Sequence, residues 1–252
     1  MTSRVPVITI DGLSASGKGT VATSVSLKLG WNLLDSGLLY RVVAFLVAEY
    51  ELQYEDEKAI AELVERKVRI QYSTTGIQAS SLKESRELRD SVMVVSDSLH
   101  RKTVQWNGED VTSIVRGNDI SRGAAVVAAS RTIRAVLIPK QRDQRVEPGL
   151  VADGRDMGTV IFPDAQLKIF LQASLETRTR RRMAQLGAAD THASFRRVFQ
   201  SLKDRDERDS LREVAPAIPA TDAIRLDSSE LSVDETVAIV MREARDRNII
   251  EG

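Results

Sequence analysis

The sequence predicts an α/β protein in which a five-stranded parallel sheet is covered on both faces by helices. Three observations lead there. Five short apolar segments alternate with stretches of helical periodicity. The first segment runs straight into Gly-Leu-Ser-Ala-Ser-Gly-Lys-Gly-Thr, which opens a helical pattern. Asp11, Asp35 and Asp153 each close an apolar segment, and in open parallel sheets ligands bind beyond the carboxyl ends of the strands.

In chain order, residues 5–10 are rich in β-branched side chains and end in Asp-Gly, a buried strand. Residues 18–29 follow with Val21, Val25 and Leu29 near helical spacing. A second strand spans 32–35 and a helix 40–50; further strands fall at 149–153 and 167–171. Two helical patterns divided by Gly187 occupy 174–199, and 223–227 is the last strand. Residues 232–247 form the closing helix, with Ser232 as N-cap and Glu235 completing a capping box.

The stretch 66–121 breaks this rhythm. Residues 68–73 alternate like a half-exposed strand. Residues 103–106 and 109–111 flank Asn107-Gly108, a pair suited to a type I′ hairpin turn. Between them, 80–100 is polar and allows a helix. This stretch reads as a small lobe inserted in the α/β core, with a decorated loop as the alternative.

Composition narrows the function classes. The 252 residues are 42% hydrophobic and 29% charged, ordinary for a globular chain. Lys+Arg and Asp+Glu both number 36, so there is no cationic excess for binding a nucleic-acid polymer. With no cysteine, disulfides and thiolate metal sites are excluded, and His100 and His192 cannot build a histidine-rich site alone. The apolar run ending at Asp11 is short for a signal peptide, and no stretch reaches the roughly 18 apolar residues of a membrane helix. The expectation is a cytoplasmic protein with no membrane partner.

The glycine-rich run has the spacing of a phosphate loop (P-loop), Gly12-x4-Gly17-Lys18, between a strand and a helix. Glycines let successive N–H groups curl toward phosphate oxygens, and the helix N-terminus adds partial positive charge. Gly12, Leu13, Ser14, Ala15, Ser16, Gly17, Lys18, Gly19 and Thr20 are therefore candidates to hold a nucleotide's phosphates, with Lys18 reaching the β/γ oxygens. Gly19 stands where Ser or Thr usually follows the lysine, and Thr20 comes next. The structural alternative is a glycine-rich turn opening an ordinary helix. A P-loop by itself names no acceptor.

Further segments, in order across nearly the whole chain, resemble bacterial cytidylate kinase, a nucleoside-monophosphate kinase family. They are Leu34-Asp-Ser-Gly37 with Tyr40-Arg41, Asp153-Gly-Arg-Asp-Met-Gly158 with Phe162-Pro-Asp-Ala165, Arg178 to Met183, Arg205-Asp206 through Arg212, and Asp222-Ala223 with Asp227-Ser-Ser229. The resemblance implies a P-loop NTPase core (1–65 and 122–252), an inserted NMP-binding lobe (66–121) and a helical lid (about 178–195). The implied activity is transfer of the γ-phosphate of ATP to CMP or dCMP, with Mg2+ bound along with ATP; a monomer is the family expectation.

By the same resemblance, Lys18, Arg155, Asp153 and Arg181 are catalytic. Thr20 and, through water, Asp153 face the metal; a capping or turn aspartate is the alternative for Asp153. Ser36, Arg41, Arg155 and Arg212 hold the acceptor phosphate, since guanidinium groups pair with phosphate bidentately. Arg134 and Asp156 meet the cytosine edge, where a carboxylate can accept from the exocyclic amine. Arg205 and Asp209 contact the sugar. Arg178, Arg181 and Arg182 share a helical face and close over the ATP phosphates, with Arg180 facing solvent.

The sequence departs from the family at Leu13, Ala15 and Ser16, where Pro, Gly and Ala are usual. If position 15 requires φ > 0, alanine is strained there. Ala125 stands where the family usually has a serine near the cytosine, the lobe is longer between about 79 and 101, and the turn from 186 to 192 matches poorly. Two rival functions remain open: a kinase for another acceptor (UMP, AMP or a non-nucleotide alcohol), and a P-loop switch without kinase chemistry. The guanine-recognition pattern Asn-Lys-x-Asp of such a switch is absent from the sequence.

Overall fold

The computed structural model describes residues 4–72, 91–96 and 102–251. In chain order the elements are β1 (Val7–Gly12), α1 (Lys18–Leu29), β2 (Asn32–Asp35), α2 (Ser36–Glu49), α3 (Glu57–Lys67), β3 (Val68–Tyr72), β4 (Val92–Ser96), β5 (Lys102–Trp106) and β6 (Glu109–Asp110). They continue with α4 (Thr112–Val115), α5 (Asn118–Ala129), α6 (Arg131–Arg142), β7 (Leu150–Gly154), β8 (Leu167–Gln172), α7 (Leu175–Leu186), α8 (His192–Leu211), β9 (Ile224–Asp227) and α9 (Val233–Asp246). A π-helical turn, Met157–Ile161, follows β7.

The larger sheet has five strands in the order β2-β7-β1-β8-β9, the parallel α/β sheet expected from the alternating apolar segments. The chain divides into two compact units, one formed by Met1–Trp31 with Pro148–Gly252, the other by Asn32–Glu147.

In the first unit β1 is central. It pairs in parallel with β7 (Ile10 opposite Asp153, Asp11 opposite Gly154) and with β8 (Asp11 opposite Phe170), and β8 pairs in parallel with β9. β1 and β7 are buried along their whole length, as expected of strands covered on both faces. Helix α1 packs against β7 and α9. The predicted capping box is present at α9: Ser232 Oγ accepts from Glu235 N, and Glu235 accepts from Ser232 N at 2.8 Å.

The second unit carries a four-stranded sheet, β3-β4-β5-β6. β3 and β4 are parallel, whereas β4–β5 and β5–β6 are antiparallel. The predicted hairpin is there: Asn107 and Gly108 take φ of 52° and 83°, the two positive values of a type I′ turn. Helix α2 packs on α5, and α3 on α6; Phe45 meets Trp106 edge-on at 5.4 Å.

One expectation is overturned within 80–100. Val92–Ser96 is a buried strand, not helix. Three of the four residues in its Val-Met-Val-Val core are β-branched, and neighbours on both sides satisfy its backbone. The rest of that stretch, 80–90 and 97–100, lies outside the described residues. Helices α3, α5 and α6 had no counterpart in the sequence reading, and α2 starts four residues earlier than read because Asp35 caps it, accepting from Leu38 N at 3.0 Å. Among the described residues no helix is long and apolar enough to cross a membrane.

Candidate functional site

The phosphate loop joins β1 to α1. Its backbone makes two left-handed steps, at Ala15 (φ 59°) and Gly17 (φ 92°), so the expected strain at position 15 is present. An alanine there costs roughly 1–2 kcal/mol relative to a right-handed conformation. At Gly12 a β-carbon would lie 2.2 Å from the Leu171 carbonyl oxygen, which leaves room for glycine alone as the loop leaves the sheet. At Gly19 a β-carbon would stand 3.1 Å from Asp153 Oδ2. A side chain at that position would require the Asp153 carboxylate to give way by a few tenths of an ångström. Leu13 is half-buried, Thr20 is exposed, and Ser16 is fully buried with no hydrogen-bond partner for its Oγ among the described residues.

Lys18 Nζ lies 3.9 Å from Asp153 Oδ1 at the end of β7. The residues after that strand return to the loop. Arg155 Nη2 donates to Ser14 Oγ at 2.9 Å, and its Nε to Asp209 Oδ2 at 3.0 Å. Arg205 is 3.9 Å from the same Asp209 oxygen, one helical turn away. Arg212 Nε donates to the Ala215 carbonyl.

The four arginines of α7 separate in role. Arg178 is buried; Nη1 donates to the Ser14 carbonyl at 3.2 Å and to Asp206 Oδ2 at 2.5 Å, and Nε donates to the Ala173 carbonyl. Arg181 donates to the Ser16 carbonyl at 3.0 Å and to both the hydroxyl and the carbonyl of Ser228. Arg182 is half-buried and donates to Gln185. Arg180 is exposed, as expected, with its guanidinium 5.7 Å from the Phe195 ring centroid.

Asp11 is buried in β1 and accepts N–H groups from Met157 (2.9 Å) and Gly158 (2.8 Å). Burial pushes its carboxyl up to about 7; the two amide donors oppose the rise, and the charges of Asp156 and Asp153 add to it. Asp156 is itself 1% exposed and precedes the π-helical turn.

The second unit holds the remaining candidates. Ser36 is buried at the start of α2. Arg41 donates to the carbonyls of Val115 and Gly117 and to Ser121 Oγ, the last at 3.0 Å. Arg134 is 2% exposed and donates to Tyr40 Oη at 2.7 Å, with its guanidinium over the same ring. Ala125 is half-buried on α5.

Sequence reading gave no roles to Asp11, Asp206, Ser228 or Lys102. Asp206 carried a usable signal, lying three residues before Asp209 on one helical face. Ser228 lay within the Asp227-Ser-Ser229 segment, but only the fold brings it to the loop. In the first unit Arg155 and Arg178 both meet Ser14, with Asp209 holding Arg155, while Arg181 reaches Ser16 and Lys18 lies beside Asp153; Arg182 donates instead to Gln185, and Thr20 is exposed.

The family model described as cytidylate kinase matches residues 8–246. A cytidylate kinase of Stutzerimonas stutzeri is 44% identical over 249 residues, covering 99% of each chain. One from Pseudomonas aeruginosa is 43% identical over 96% of each chain, and one from Pseudomonas putida is 41% identical over 99% of this chain and 100% of its own.

Proposed function

Because this chain belongs to the cytidylate kinase family, we propose that it transfers the γ-phosphoryl group of ATP to CMP or dCMP, giving ADP and CDP or dCDP. The observation that carries the reading is the convergence of Arg155, Arg178 and Arg181 on Ser14 and Ser16 of the phosphate loop. Transfer of this kind calls for little covalent help from the protein; positioning and charge neutralisation do most of it.

The loop's amides and Lys18 hold the β- and γ-phosphates of ATP. Asp153, a hard oxygen donor beside Lys18, suits Mg2+ held through water, with Thr20 as the second candidate. Bound with ATP, that ion supplies positive charge to the phosphate oxygens. Arg155 and Arg181, fixed by the loop, add charge on the protein side. Arg182 is the remaining lid candidate for the ATP phosphates.

For the acceptor, Ser36, Arg41, Arg155 and Arg212 are assigned to the 5′-phosphate. Arg134 and Asp156 are assigned to the cytosine, and Arg205 and Asp209 to the sugar. Asp156, placed to accept from the exocyclic amine, would meet a carbonyl in uracil and be left unmatched, which supports discrimination against UMP. The insert over 66–121, the lid over about 178–195, the monomeric state and a cytoplasmic location belong to the same proposal.

The test is ADP production with Mg-ATP and each of CMP, dCMP, UMP, AMP and GMP. Turnover concentrated on CMP and dCMP is expected. Preference for another monophosphate would move the specificity to the pocket altered at Ala125, and no turnover with any would favour a binding module.

A further inference from the structure

Two carboxylates three residues apart on α8, Asp206 and Asp209, each hold an arginine that ends on the same residue of the phosphate loop. Asp209 holds Arg155, which donates to Ser14 Oγ. Asp206 holds Arg178, which donates to the Ser14 carbonyl. The two bridges differ in what they fix. A bond to a hydroxyl fixes a rotatable side chain, whereas a bond to a carbonyl fixes a peptide plane.

That plane matters because the peptide is trans and planar, so the Ser14 carbonyl and the Ala15 N–H point in opposite directions. With the carbonyl held on Arg178, the Ala15 N–H is turned away from Arg178. The loop needs such a hold at this position, since Ala15 sits at φ 59°, where an alanine resists staying. Arg178, in turn, is 5% exposed, and a guanidinium buried to that extent needs a counter-charge, which Asp206 provides with a side chain 14% exposed. The other oxygen, Asp206 Oδ1, is buried and has no hydrogen-bond partner among the described residues, so Arg178 is the one partner seen for this carboxylate.

We propose that Asp206 is a positioning residue for the donor nucleotide: through Arg178 it locks the Ser14–Ala15 peptide plane and thereby presents the Ala15 amide to the ATP phosphates. This rests on the phosphate loop being the ATP site, and it gives Arg178 a task on the loop's backbone in place of direct contact with phosphate.

The test is calorimetric binding of Mg-ATP without acceptor, together with KM for CMP. Asp206→Asn keeps the shape and removes the charge. Its Kd for Mg-ATP is expected to rise about tenfold, the loss of one charge-assisted hydrogen bond, while KM for CMP stays within about twofold. Arg178→Gln should raise Kd for Mg-ATP by a similar factor, and Arg178→Gln/Asp206→Asn by no more than about twofold beyond either single change, because both act along one path.

Unchanged Mg-ATP affinity in Asp206→Asn, equal losses for both nucleotides, or single effects that multiply in the double variant would overturn the proposal. Should Asp206→Asn leave Arg178 buried without its counter-charge and fail to fold, the double variant removes both charges and must show the same selective loss for Mg-ATP. A protein that binds Mg-ATP in this Asp206-dependent way yet turns over no CMP would defeat the acceptor assignment and leave this inference standing.

Discussion

Asp11 and Asp35 occupy equivalent places and ionise in opposite ways. Each lies at the carboxyl end of a strand, and each accepts backbone N–H groups from the segment it caps or faces. Burial pushes both carboxyls up. At Asp11 the nearby charges are Asp156 and Asp153, and the group rises to about 7. At Asp35 the burial effect is outweighed by Lys102, the Leu38 amide and Arg116 together, and the group falls below its ordinary 3.8. The Lys102–Asp35 pair is 3.3 Å long, with side chains 9% and 19% exposed. Desolvation is thus common to the two sites, and the sign of the neighbours decides the outcome. Around Asp11 the neighbouring carboxylates repel its charge; around Asp35 the neighbouring cations cancel it.

The largest expected effect tests the Asp11 side of this contrast. A raised carboxyl means the folded protein binds a proton that the unfolded chain releases, so stability is fully present below the unfolded value of 3.8 and is lost as pH rises through about 7. Urea unfolding of the wild type and of Asp11→Asn should therefore diverge with pH. The stability of the wild type relative to the variant should rise by roughly 2–3 kcal/mol from pH 7.5 to pH 5. A constant difference over that range would mean Asp11 stays charged, and the contrast would fail.

Next in size is Lys102→Met. Removing the cation leaves Asp35 buried beside Arg116, at a cost of about 2 kcal/mol at pH 7, below the usual range for a broken buried pair because Asp35 keeps some solvent. Asp35 normally contributes stability above its unfolded pKa and loses it as pH falls through its lowered folded value, so the variant's deficit should shrink below pH 4. Denaturant midpoints at pH 7 and pH 3.5 measure both parts. A loss under 0.5 kcal/mol at pH 7, the scale of an exposed pair, would show that Lys102 is not what holds Asp35 charged.

The smallest effect is at Ala15→Gly. Relief of the left-handed strain is partly offset by the greater freedom of glycine in the unfolded chain, leaving a gain of about 0.5–1 kcal/mol. A lower melting temperature in the glycine variant would mean that the φ of 59° costs the loop nothing, and would weaken the case for a carbonyl clamp at Ser14.

What could be read from the sequence was what is contiguous in it. The phosphate loop needs its glycines and lysine in one run, so its residues, its setting between strand and helix, and the strain at Ala15 were all legible. The buried strands β1, β7 and β8 were legible because a parallel strand covered on both faces is apolar throughout. Strand β4 was missed because four apolar residues within a polar stretch carry no periodicity to separate strand from helix. The Lys102–Asp35 and Arg178–Asp206 pairs were illegible for another reason: any of many carboxylates could have met those cations, and topology chose. The carbonyl contacts of Arg178 and Arg181 were hidden for the same cause, since each residue of the loop offers a carbonyl and composition says nothing of which one is reached.

The order in which the central sheet comes together follows from where its strands lie along the chain. Both neighbours of β1 in register, β7 and β8, are synthesised roughly 140 to 160 residues after it. At ordinary elongation speeds that is a wait of about ten to thirty seconds, during which a buried-type strand has no mate. The contiguous segment from Asn32 to Glu147 is completed within that interval. The nascent chain therefore passes through a stage in which β1 is still an unpaired edge, and a chaperone or the ribosome surface would find its target in Val7–Gly12.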